Sequence, residues 1–201
     1  WKEGPAELTA EQRKAYDALL AQYRQGGGVS LLFGVTGSGK TEVYMNLVSY
    51  MLLFEKSSLI LVPEIALTPQ MIERFKGRFG KDVAVFHSRL SDGERYDEWY
   101  RVKNDQVKVV IGARSAIFLP FNDLGLIVVD EEHESSYKSD MNPKYNTIEV
   151  CEYLSLLKNC KVVLGSATPS VVSFYKALKG NYELIELKKR VNNGELPNVS
   201  I

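Results

Sequence analysis

Residues 34–41 read Gly-Val-Thr-Gly-Ser-Gly-Lys-Thr and satisfy the spacing G-x-x-x-x-G-K-[ST]. They sit between an apolar run at 29–35 and a segment of helical period at 42–54. A strand that turns through glycines into a helix is the context in which this spacing carries chemistry. Glycines let successive backbone amides curl around an anion with no side chain in the way. The helix that follows points the positive end of its dipole at the same place. The expected ligand is a nucleoside triphosphate, held by Gly34, Thr36, Gly37, Ser38, Gly39, Lys40 and Thr41. Lys40 is expected to reach the β and γ phosphates and Thr41 to ligate Mg²⁺.

A phosphate loop of this kind needs a sheet behind it, and the remaining pattern supplies one. Short apolar, β-branched runs occur at 29–35, 58–62, 83–86, 107–112, 124–130, 162–165 and 182–187. Amphipathic segments of helical period lie between most of them, at 42–54, 69–79, 92–103, 147–158 and 169–178. Continuous apolar strands alternating with helices predict an α/β fold: a doubly wound, mostly parallel sheet covered by helices on both faces. Capping boxes at Thr9–Gln12 and Ser91–Glu94 mark two helix starts, and Thr168-Pro169 predicts a third.

The run ending Leu-Ile-Val-Val at 126–129 finishes in Asp130-Glu131-Glu132-His133. Ligands in open parallel sheets bind at the carboxyl ends of strands, so these carboxylates are expected to face the phosphates. Asp130 is assigned to Mg²⁺ and Glu131 to orienting or deprotonating the attacking water. Lys40, Asp130 and Glu131 therefore form the expected catalytic set.

Composition excludes several other classes. The 201 residues suffice for one sizeable domain. The 25 basic and 25 acidic residues cancel, whereas tight duplex-DNA binders carry a basic excess. Cys151 and Cys160 fit no metal spacing and are expected to be reduced and buried. His87 and His133 have no companion at ligand spacing, and His87 is expected to make a local hydrogen bond. No apolar run reaches about 18 residues, so no membrane span is expected and the compartment expected is the cytoplasm.

Asp-Glu-Glu-His resembles motif II of the DEAH group of superfamily 2 helicases. The stretches GVTGSGKTEVY (34–44), LVPEIALTPQ (61–70), FHSRLSDGER (86–95), IGARSAIFLPF (111–121), DEEHESSYK (130–138) and GSATPS (165–170) resemble, in order, the motifs of the PriA family. Members of that family are primosomal replication-restart helicases (primosomal protein N′). The resemblance covers most of residues 8–190 and implies ATP-driven 3′→5′ translocation on single-stranded or forked DNA. It also implies primosome and single-strand-binding proteins as partners, and makes residues 1–190 the first of two RecA-like lobes, with 191–201 as a linker. By the same likeness Gln12 contacts adenine, although its capping-box position offers a purely structural role. Thr68, Gln70, Arg114 and Ser115 touch the DNA backbone, for which their side chains are suitable donors. His133, Ser166, Ala167 and Thr168 couple hydrolysis to movement. Tyr137, Lys138, Lys144 and Tyr145 belong to an aromatic, basic loop that senses single-stranded DNA. That loop departs from the family pattern: Asn146 stands where the family has histidine, and the next arginine is missing. The arginine finger and zinc module of the family are absent from the sequence, so an excised lobe of little activity on its own is expected. Another superfamily 2 repair translocase, or a non-catalytic nucleotide-dependent interaction module, stays open as an alternative.

Overall fold

The computed structural model describes residues 7–191. The segment 192–201, and with it almost all of the expected linker, lies outside the described residues. Seven strands form one sheet: β1 Gly28–Gly34, β2 Ser57–Leu61, β3 Val83–Phe86, β4 Val109–Gly112, β5 Leu124–Val129, β6 Lys161–Ser166 and β7 Glu183–Leu187. Their order is β3-β4-β2-β5-β6-β1-β7, and every pairing is parallel. The central strands β2, β5 and β6 are buried along their whole length, because helices cover both faces.

Among the described residues the six α-helices are α1 Ala10–Arg24, α2 Lys40–Leu53, α3 Pro69–Phe79, α4 Asp92–Lys103, α5 Thr147–Lys158 and α6 Val171–Leu178. Leu19, Val48 and Phe75 bury α1, α2 and α3 against one face of the sheet. Val102, Cys151 and Ala177 bury α4, α5 and α6 against the other. Both cysteines are free and fully buried, as expected. Both capping boxes form, at Thr9 and Ser91. The helix start expected at Thr168-Pro169 is corrected. Ser170 caps α6 by accepting from Ser173 N, and the helix begins at Val171. Thr168 N–H instead donates to Ser166 Oγ at 2.9 Å, which holds residues 167–169 off the helix path.

One charge lies inside the sheet. Lys161 opens β6 beside β1 and is fully buried, with its amine donating to Ser30 Oγ at 2.6 Å. Ser30 Oγ in turn donates to Gln22 Oε1 at 2.7 Å. Burial pushes the Lys161 pKa down to about 7, against the pull of Glu183. Above pH 7 the unfolded chain therefore holds a proton that the folded chain does not, so stability rises with pH up to the ordinary lysine range. The buried thiols act oppositely near and above pH 9, since Cys160 is raised to about 11 and Cys151 further still. Denaturant unfolding of this chain is thus expected to show a gain of about 1–2 kcal/mol from pH 7 to 8.5. Lys161→Met removes the gain; a wild-type profile flat over this range contradicts the assignment.

Candidate nucleotide-binding site

The strand order brings the two halves of the site together. β6 lies between β1 and β5, with Phe33 paired to Ser166 and Val129 to Leu164. The loop after β1, the acidic end of β5 and the end of β6 therefore meet at one edge of the sheet. Gly37 and Gly39 take φ values of 81° and 78°, which glycine adopts without strain. A Cβ on Gly39 would lie 2.2 Å from Gln12 Nε2, so a side chain there would displace the Gln12 amide. Lys40 is buried, and its amine donates to Gly34 O at 2.7 Å.

Gln12 joins the first helix to this loop. Its Oε1 accepts from Thr9 N at 2.9 Å, and its Nε2 donates to Ser38 O at 3.0 Å. Both ends of the amide are engaged, so Gln12 braces the loop. Gln12, Thr36, Gly37, Gly39, Lys40, Thr41, Asp130 and Glu131 line one cleft of about 520 Å³.

Asp130 is tied to the phosphate-loop helix by a residue that sequence reasoning missed. Tyr44, fully buried on α2, donates its hydroxyl to Asp130 Oδ1 at 3.0 Å. Burial raises the Asp130 carboxyl above its usual range, helped by neighbouring Glu131; the Tyr44 bond and Lys40 hold it down. Burial and the adjacent Asp130 raise Tyr44 well above the usual tyrosine range, so it stays a donor. Glu131 is one of four non-glycine residues with positive φ among the described residues, at 48°. Such a conformation costs free energy and persists where surrounding structure enforces it.

The next two residues of the acidic cluster divide the remaining work. Glu132 is buried and accepts from Ser170 N at 2.6 Å, Ser170 Oγ at 3.0 Å and Ser173 Oγ at 2.9 Å. Its role is to clamp the start of α6 to the end of β5. No spacing signal announces this, because Ser170 and Ser173 reach Glu132 only once β5 and β6 are paired. His133 Nδ1 lies 2.8 Å from Ser166 Oγ and 3.6 Å from Glu131 Oε2. Thr168 N also donates to Ser166 Oγ, so this one hydroxyl joins His133 to residue 168. Of the four expected coupling residues, His133, Ser166 and Thr168 thus form one chain of contacts, and Ala167 lies between the last two.

A family profile described as DEAD/DEAH box helicase matches residues 9–175. The chain belongs to the DEAD/DEAH box helicase family. Along its whole length it is 52% identical to replication restart protein PriA of Bacillus subtilis, of which it covers 25%. It is 47% identical to the protein of the same name from Treponema pallidum, with 96% of this chain and 29% of the relative covered. The chain spans about a quarter of the length of these relatives. A solved structure of RecG bound to a three-way DNA junction superposes with a TM-score of 0.68 at 24% identity, over 96% of this chain and 25% of that one. The DNA-bound helicase MrfA follows at a TM-score of 0.61 and 19% identity, covering 93% and 28%. These likenesses show the RecA-like fold.

Within this helicase domain the expected DNA contacts fall at the carboxyl ends of β2, β4 and β5, which are neighbours in the sheet. Thr68 is exposed and caps α3, its Oγ1 accepting from Met71 N at 3.3 Å; Gln70 is exposed beside it. Ser115 is exposed, as are Lys138 and Lys144. Arg114 donates to Ser136 O at 3.0 Å and to Lys138 O, so its guanidinium partly serves to hold the following loop. His87 accepts from Arg89 N at 3.2 Å, the local bond expected of it.

Tyr137 needs correction as a stacking residue. It is 2% exposed, and its hydroxyl donates to Asp130 O at 2.6 Å and Leu61 O at 3.1 Å. A ring buried between β2 and β5 offers no face to a base; it fastens the turn that carries Asp130 and Glu131. Tyr145 is half-buried, edge-on to Phe118 with centroids 4.9 Å apart. Asn146, where the family has histidine, caps α5 by accepting from Ile148 N at 3.0 Å.

Proposed function

We propose that this chain is the ATP-binding motor lobe of a DNA helicase that acts at stalled or repaired replication forks. Residues 1–190 form the lobe, and 191–201 lead on to a second lobe. The observation that carries this reading is the unbroken contact path through the site. Tyr44 links the phosphate-loop helix to Asp130, and His133 links the acidic turn to Ser166. Whole-length similarity to replication restart proteins supports the fork setting, and the fold likeness to the junction-bound RecG accords with a DNA partner.

The residues present suit ATP and Mg²⁺. Ser38 Oγ is buried with no hydrogen-bond partner among the described residues, Gly37 opens to free space, and Thr41 and Asp130 are oxygen donors suited to a hard cation. Mg²⁺, when bound, neutralises charge on the phosphates. Lys40 and the loop amides hold the phosphates, and Glu131 orients the water. Ser166 and His133 pass the state of that site toward the α6 clamp. Zinc belongs to a part of the protein beyond this lobe.

DNA partners are single-stranded or forked DNA, contacted by Thr68, Gln70, Arg114, Ser115, Lys138, Lys144 and Tyr145. Primosome and single-strand-binding proteins complete the expected partners, and the cytoplasm is the expected compartment. Translocation is 3′→5′ by likeness to the family. The test is strand displacement by the full-length protein on a synthetic fork. Displacement that requires ATP and is abolished by Lys40→Ala is expected; displacement that survives Lys40→Ala sinks the reading.

A further inference from the structure

Helix α4 begins one short loop after β3, at the same end of the sheet as the expected DNA contacts. Phe86, the last residue of β3, pairs with Gly112, and Arg114 and Ser115 follow closely. In the loop itself Ser88 Oγ donates to Glu64, just ahead of Thr68 and Gln70. Spacings of three and four residues bring Tyr96, Trp99, Tyr100 and Lys103 to one side of the helix. The Tyr96 ring centroid lies 6.2 Å from that of Trp99 and 6.3 Å from that of Tyr100, with the planes only 23° and 30° apart. Trp99 packs half-buried against the core, and Lys103 Nζ covers its face at 4.8 Å. Tyr96 and Tyr100 are 61% and 48% exposed. Two tyrosines at the rim of the sheet thus offer flat faces to solvent, backed by a fixed indole.

We propose that α4 extends the DNA track: Tyr96 and Tyr100 stack on bases of a single strand that runs on from Arg114 and Ser115 past the β3 edge. The inference rests on the reading of this sheet end as a DNA track. The occupant is a single strand because a base can stack on a side chain only when it is free of its neighbours in a duplex. Charge around the rings agrees. Glu94 is taken up by the Ser91 cap and Glu98 by Arg101. That leaves the exposed Asp92 and Asp97 against Arg89, Arg95 and Lys103. So small a basic excess suits a contact made through base faces, whereas a duplex is held chiefly through its phosphates. Arg95 donates to Ser88 O at 3.3 Å, and its guanidinium sits 6.0 Å from the centroid of the Phe86 ring. It is thereby fixed where a strand leaving the loop meets the helix.

The experiment is equilibrium binding of the full-length protein to oligothymidylates of about 4 to about 16 nucleotides at several salt concentrations. Thermal unfolding of the free protein runs alongside. The double substitution Tyr96→Ala, Tyr100→Ala is expected to weaken the longest oligomers about tenfold or more and the shortest by less than about twofold. The salt dependence is expected to keep its slope, since no phosphate contact is lost. Tyr96→Phe with Tyr100→Phe keeps the rings and is expected to hold affinity within about twofold. Tyr96→Leu with Tyr100→Leu keeps apolar bulk without a ring face and is expected to match the alanine loss; it decides the matter if the alanine variant does not fold. An equal loss at every length, a shallower salt dependence, or a loss that tracks a lowered melting temperature overturns the proposal. Unchanged DNA affinity overturns it too, and if sedimentation then shows altered self-association, α4 is a protein interface instead. Gln70→Ala with Ser115→Ala serves as the control. If neither it nor the tyrosine variants weaken any oligomer, the DNA-track reading fails and the α4 inference with it. If it weakens every length while the tyrosine variants weaken none, only the α4 inference is lost.

Discussion

Replacing Glu131 with Gln in the full-length protein is expected to slow ATP hydrolysis by about 10²–10⁴-fold, with ATP affinity held within about twofold. The reasoning separates binding from chemistry. On the proposed reading Lys40, Thr41 and the loop amides make the binding contacts, and the bond that seats the Lys40 amine runs to Gly34 O, not to Glu131. Glutamine keeps the size and the positive-φ backbone of this residue, at 48°, so the turn does not relax. What it removes is the ability to take a proton from water. A drop in the hydrolysis rate without a change in binding identifies an interaction made in the transition state. Single-turnover hydrolysis and equilibrium binding on the same preparation check this. An equal loss in both would place Glu131 among the binding groups instead.

The second large effect is one of packing. A Cβ on Gly165 would lie 1.7 Å from Tyr44 Oη and 3.3 Å from Asp130 Oδ1. Tyr44 is fully buried, so the hydroxyl has nowhere to go without displacing α2 or giving up Asp130. Gly165→Ala is expected to cost about 1–3 kcal/mol through overpacking, plus about 1–3 kcal/mol for the buried carboxylate that loses its donor. Tyr44→Phe alone costs only that second part. Combined, the two substitutions are expected to be less damaging than their sum by at least about 1 kcal/mol, because the colliding oxygen is gone. Denaturant unfolding of the four proteins completes the cycle. Strict additivity would mean that the ring and the glycine do not constrain each other.

The contrast between these two residues shows which parts of the molecule the chain announces. The strands were legible because each is a β-branched run bounded by turn residues, and burial on both faces demands such runs. The phosphate loop was legible because its chemistry depends on glycine, lysine and threonine at fixed local spacing. Tyr44 and Glu132 were not, since each acts on a partner brought near only by the order β5-β6-β1. Nothing in a buried tyrosine's own neighbourhood tells a structural anchor from a base-stacking platform. The family resemblance places Tyr137 in the DNA loop, whereas in the structure it anchors the acidic turn. Thr168-Pro169 looked like a helix start by local rules, yet Glu132 reaches Ser170 and moves the start to Val171.

Whether one lobe joins a nucleotide site to a DNA track is read from ATP hydrolysis by the full-length protein as single-stranded DNA is titrated in. A saturable rise in rate is expected, which Lys40→Ala abolishes and His133→Ala blunts while ATP binding persists. A rate indifferent to DNA, at DNA concentrations where binding is independently seen, would contradict it.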